Sequence, residues 1–275
     1  MPRRLLSGIV ASALLLATAG CVDLSAVSGF TKLGSSITEN TAAVDSYPDA
    51  VKYAAQFNPE LQAKERLAAE LPAADTQTKS ADLGMKTLSL YLSTVSSLAD
   101  DKTVDVSAST TSIGNSLKGL GVLKTATQKP ATDLITLLAG GALDLWRRQA
   151  VANLIVKANP SVQELCAALA QFARLTAERY QIDAHEVATY YGNLGLHQTP
   201  AVQEMLGEWR DEHVAGFTKA SAAATAAAKA FTVIAQGHAA LVAHAGELSS
   251  KELRAIIAKY QDQLSSAARL IIRAL

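Results

Sequence analysis

The sequence is poor in the residues that carry chemistry. It holds five histidines and two cysteines in 275 residues, with no Cys-x-x-Cys pair. None of His185, His197, His213, His238 and His244 has Asp or Glu three positions before it, the spacing a di-iron bundle site requires. His185-Glu186 is followed by Val187-Ala188-Thr189 and so lacks the second histidine of a zinc-protease helix. No metal and no cofactor are therefore expected. A Gly-x-Ser-x-Gly elbow, a P-loop and a dinucleotide glycine motif are also missing, and Gly119-Leu120-Gly121 reads as a loop. No catalytic residue is assigned, and the expectation is a protein that is not an enzyme. An excess of one charge is lacking too. With 25 basic and 25 acidic residues there is no electrostatic reason to expect a nucleic-acid partner or attraction to anionic lipid.

What is present starts at the amino terminus. Arg3 and Arg4 precede a short apolar run, Ile9 to Ala17, which leads through Thr18-Ala19-Gly20 to Cys21. Such a run is too short for a permanent spanning helix. The segment resembles the lipobox signal of a bacterial lipoprotein, with Thr18 where that pattern most often has Leu. The resemblance implies cleavage after residue 20 and diacylglycerol on the Cys21 thiol, followed by a mature chain 21–275 anchored in the membrane by several acyl chains. Removing Arg3 and Arg4 leaves 23 basic against 25 acidic residues. Val22 directly after the cysteine, with Asp23 only next, implies the outer membrane, periplasmic face. After processing, no spanning segment is expected to remain. Residues 21–29 read as a short tether that keeps the folded part within roughly 30 Å of the lipid. With Cys21 acylated, Cys166 has no partner for a disulfide, and its setting, Glu164-Leu165-Cys166-Ala167-Ala168-Leu169, is that of a buried helical thiol.

Beyond the tether nearly every segment has helical periodicity. Helices are expected at 24–46 (continuing after a break at Pro48 to 57), 59–71, 75–100, 106–125, 131–158, 160–181, 183–191, 200–246 and 250–274. The start signals are Asn58-Pro59, Asn159-Pro160 and Thr199-Pro200, together with capping-box spacings at Ser161/Glu164, Asp183/Glu186 and Ser249/Glu252. Pro72 is read as closing a short helix and Pro130 as opening one. Apolar positions repeat at spacings of three and four from Phe30 through Leu33 and Ile37 to Val51. The repeat returns from Leu206 through Trp209, His213, Phe217, Phe231, Ile234 and His238 to Leu248, and again from Leu253 to Ile271. This pattern seats side chains between facing helices at small crossing angles. Small residues from Ser221 to Ala230 favour close helix approach. The expected fold is all-α: residues 30–275 as one elongated antiparallel helical bundle with coiled-coil-like packing.

Two sets of residues are candidates for function. His213 and His238 fall on core positions of the long helix, where a pH-responsive seam is the functional reading. Leu134, Leu137, Leu138, Leu145 and Trp146 lie in the most apolar stretch, with Gly140-Gly141 as a hinge, and are candidates for membrane contact. The acidic residues Glu204, Glu208, Asp211 and Glu212 read as a solvated face near a helix start. The expected function is a lipid-anchored protein that binds another envelope protein as scaffold, adaptor or toxin-neutralising factor. The alternative is a membrane-active protein in which 131–148 enters lipid, in the manner of helical pore-forming toxins.

Overall fold

The computed structural model describes residues 23–39, 47–57, 61–120, 125–140 and 147–274. Among these residues the chain is all α, without a strand. The helices are α1 (Ser25–Glu39), α2 (Tyr47–Phe57), α3 (Leu61–Ala99), α4 (Ser107–Gly119), α5 (Gln128–Ala139), α6 (Arg147–Gly195), α7 (Pro200–Ala243) and α8 (Lys251–Ala274). Cys21, Leu145 and Trp146 lie outside the described residues.

The axis of the bundle is the α6–α7 hairpin. Its 49-residue and 44-residue helices are about 73 and 66 Å long at 1.5 Å per residue. They run antiparallel: Ser221 Oγ donates to the Ala177 carbonyl at 3.0 Å, and Gln163 Nε2 to the Ala235 carbonyl at 2.9 Å. The small residues Ala223, Ala224, Ala226, Ala227 and Ala230 are buried along α7. Helix α8 folds back along α7, α3 lies along α6, and α1 packs against α3, α7 and α8. Helices α4 and α5 pack on α3 and each other, and α5 also on α6, while α2 lies along α3 and α6. The core runs through Phe30, Leu88, Tyr91, Ile155, Leu165 and Phe231.

Several boundaries differ from those the sequence suggests. The folded part begins before Phe30: Leu24 and Val27 are already buried and α1 starts at Ser25, so most of the stretch expected as a tether at 21–29 is helix. Pro72 and Pro160 lie inside α3 and α6 without ending them. Both prolines are exposed. The buried stripe Ile155, Ala158, Val162, Leu165, Cys166 and Leu169 runs through Pro160 at unbroken helical spacing. Packing here outweighs the loss of one hydrogen bond. The Ser161 and Asp183 capping boxes are therefore mid-helix, and the cap of α8 is Ser250, whose Oγ accepts the Leu253 amide at 3.1 Å. The expected helix 131–158 is not continuous; α5 ends at Gly140 and α6 begins at Arg147. By length and composition α7 could cross a membrane, contrary to the sequence reading, yet more than half of its most apolar stretch is buried in the bundle.

The two ends of the rod are distinct. Helix α1 runs antiparallel to α7, with Gly34 near Ile234 and Phe30 on Gly237. Asp23 pairs with Arg254 at the start of α8 at 2.9 Å. The beginning of α1 thus lies beside the carboxyl end of α7, and the turn 196–199 lies at the other end, about 65 Å away along α7.

Candidate functional site

The far end of the hairpin carries the cavity with the most distinctive lining. Helix α2 lies along α6 there and contributes Tyr53 and Phe57, whose rings reach His213 on α7. Tyr53 stacks on His213 with ring centroids 5.9 Å apart and planes at 21°, and meets Phe217 edge-on at 5.3 Å. Phe57 contacts Tyr190 at 5.5 Å, and Tyr180 lies 6.1 Å from Phe217. A groove of about 450 Å³ opens between them, lined by Tyr53, Tyr180, His213 and Phe217, with Asp49 and Glu212 as its charged members. Ala50, Gly216 and Ala220 also line it, and a Cβ built at Gly216 meets nothing within 4 Å. The Nδ1–H of His213 donates to the Trp209 carbonyl at 2.6 Å, which fixes the ring against Tyr53. Burial, aided by Tyr191 and Glu212, raises the Tyr53 hydroxyl above its usual pKa.

Beyond the groove the hairpin tip is apolar and acidic at once. Leu194, Leu196, Met205 and Trp209 are 44%, 67%, 40% and 47% exposed. Between residues 178 and 219, six solvent-accessible carboxylates (Glu178, Glu186, Glu204, Glu208, Asp211 and Glu212) face three cations, Arg179, Arg210 and Lys219. Helix α8 has the opposite balance: Lys251, Arg254, Lys259, Arg269 and Arg273 against Glu252 and Asp262.

The two histidines singled out by periodicity have different surroundings. His238 is fully buried in the seam between α3, α6 and α7. Tyr91 Oη lies 2.7 Å from its Nε2 and Asn159 Oδ1 3.1 Å from its Nδ1, and Gln163 Nε2 donates to the same Asn159 oxygen at 3.1 Å. Because that oxygen can only accept, Nδ1 carries the proton and Nε2 accepts from Tyr91. Burial lowers the His238 pKa from 6.5 to about 3, so its ring stays neutral between pH 5 and 8. His213 is half-exposed in the groove and is not a core residue.

The group that titrates near neutrality is one that periodicity did not mark. Asp183 is completely buried on α6. Arg179 Nη2 lies 2.7 Å from its Oδ1, without the angle of a hydrogen bond, and Glu186 approaches the same guanidinium at 3.8 Å. Burial raises the Asp183 pKa from 3.8 to about 7, opposed by Arg179 and reinforced by Glu186. Cys166 is fully buried, and burial raises its thiol pKa far above the ordinary value; it is a core side chain. Leu134 and Leu138 are buried and Leu137 partly so, all within the core around α5. Among the described residues no three His, Cys, Asp or Glu side chains converge on a metal-sized site.

Fold and site together define an all-α bundle with an aromatic groove at one end. No protein-family model, curated protein or solved structure matches the chain.

Proposed function

We propose that this chain is a lipid-anchored, non-catalytic helical protein that holds a protein-binding end away from the membrane. The observation that carries the reading is the placement of two features at opposite ends of one rod. Asp23, two residues after the lipobox cysteine, sits beside the start of α8. The groove and the exposed Leu196, Met205 and Trp209 lie at the other end, about 65 Å away along α7. Acyl chains on Cys21 would fix the near end in the outer membrane and leave the far end to reach into the periplasm. Exposed apolar side chains rimmed by charge are the usual composition of a protein interface. A short tether does not confine such an end to the lipid surface, because the bundle itself supplies the reach.

Membrane entry of 131–148 is less well supported. Leu134 and Leu138 would have to leave the core, at about 1.5–3 kcal/mol each. A photocrosslinking side chain placed at Leu196 in intact cells tests the proposal. Adducts to an envelope protein from position 196, with none from Glu252 at the near end, are the expected result. Adducts that are absent, or equal at both positions, refute it.

A further inference from the structure

We propose that the groove receives an arginine or lysine side chain carried on an apolar segment of the partner protein. This rests on the reading that the far end binds a protein. Tyr53, Phe217 and the largely buried Tyr180 line its walls, and an aromatic ring attracts a cation through its quadrupole. Among the described residues the formal charges on the lining are two carboxylates, Asp49 and Glu212. Asp49 has Lys52 beside it at 3.2 Å, an exposed pair one helical turn apart that solvent screens and an incoming cation can replace. Glu212 is in no ion pair among the described residues, because its neighbour Arg210 is held by Asp211 at 2.9 Å. The volume, about 450 Å³, admits a guanidinium with its aliphatic stem. Exposed Trp209, one helical turn before His213, and Met205, Leu194 and Leu196 further towards the hairpin tip supply apolar contact for the segment that carries the cation. The surrounding carboxylates attract a basic segment and repel an anionic lipid surface. Charge, aromatic lining and the apolar tip beyond it all favour one occupant, a basic amphipathic stretch of protein.

The test uses the full chain and two synthetic 14-residue amphipathic peptides of leucine and arginine, one with every arginine replaced by citrulline. Citrulline keeps the shape and removes the charge. The arginine peptide should bind at least tenfold more tightly. Gly216→Trp fills the groove from a position with open space and should cost at least tenfold in affinity. Glu212→Gln, an exposed change that spares packing, should cost several-fold. Gly246→Trp, also in open space but at the near end, should change nothing. Equal affinity for the two peptides, or binding insensitive to both Gly216→Trp and Glu212→Gln, overturns the proposal. Crosslinking from Leu196 does not pass through the groove, so it can succeed where this test fails.

Discussion

The ring of Phe30 occupies the space that a side chain at position 237 would fill. A Cβ on Gly237 would lie 2.4 Å from both Cε2 and Cζ of Phe30, and neither the buried ring nor the two helix backbones can yield that distance cheaply. This contact seats α1, the first described helix, on α7. Gly237→Ala should therefore destabilise by about 1–3 kcal/mol, although alanine is the better helix former. A denaturant midpoint equal to that of the wild type would contradict the contact. Gly216→Ala is the converse case: its Cβ meets nothing, so stability should rise by up to about 1 kcal/mol.

His238 should make stability fall on acidification. Its folded pKa is about 3 against 6.5 unfolded. Above pH 6.5 neither state is protonated and the contribution is fully present. It is lost as pH falls towards 3, because only the unfolded chain takes up the proton. The slope is at most about 1.4 kcal/mol per pH unit. His238→Gln should remove that contribution and leave the opposite slope set by Asp183, whatever it does to overall stability. Denaturant titrations between pH 4 and 7 read the difference directly.

Asp183 should act in the opposite sense. Its folded pKa is about 7 against 3.8 unfolded. Its contribution is fully present below 3.8 and is lost as pH rises through 7, since the unfolded chain gives up its proton first. Asp183→Asn should raise stability at pH 8 relative to the wild type more than at pH 4. Between pH 4 and 6.5 the two groups oppose each other, so the wild-type profile should be flatter there than that of either variant. An unchanged profile in Asp183→Asn would rule out this placement of the carboxyl.

Leu196 and Met205 should be dispensable for folding and required for partner capture. Both are exposed at the tip. Leu196→Glu and Met205→Glu should shift stability by no more than about 0.5 kcal/mol while abolishing adducts from a crosslinker at Trp209. Adducts that persist in both variants would place the interface elsewhere.

Much of the fold is legible in the sequence because the repeats from Phe30, Leu206 and Leu253 are long and uninterrupted. The all-α class and the long helix α7 follow from them, whereas the sequence suggests separate helices where α6 is continuous. Proline is where local reasoning fails: Asn159-Pro160 reads as a helix start, yet the Asn159 side chain turns to His238 and Gln163 and the apolar stripe carries α6 through. The α1–α3 seam is hidden for another reason. It is built from hydroxyls, with Ser35 Oγ 2.8 Å from Ser89 Oγ and Ser28 Oγ 3.2 Å from Ser96 Oγ, and an apolar count passes over them. Of the groove, the sequence marks His213 and Phe217 as repeat positions and Glu212 as part of a solvated acidic face. Tyr53 and Tyr180 come from other helices, and no spacing within one helix brings three elements together. The i,i+4 pair Tyr53 and Phe57 and the doublet Tyr190-Tyr191 were the available signals.

The claim that joins anchor, rod and groove is best tested by energy transfer on the acylated protein in liposomes with an acceptor in the lipid headgroups. A donor at Glu252 should transfer efficiently, and a donor at His197 should transfer little, as expected for an end about 65 Å further out. Equal transfer from the two positions, or no lipid on Cys21 with neither donor near the bilayer, would contradict the account.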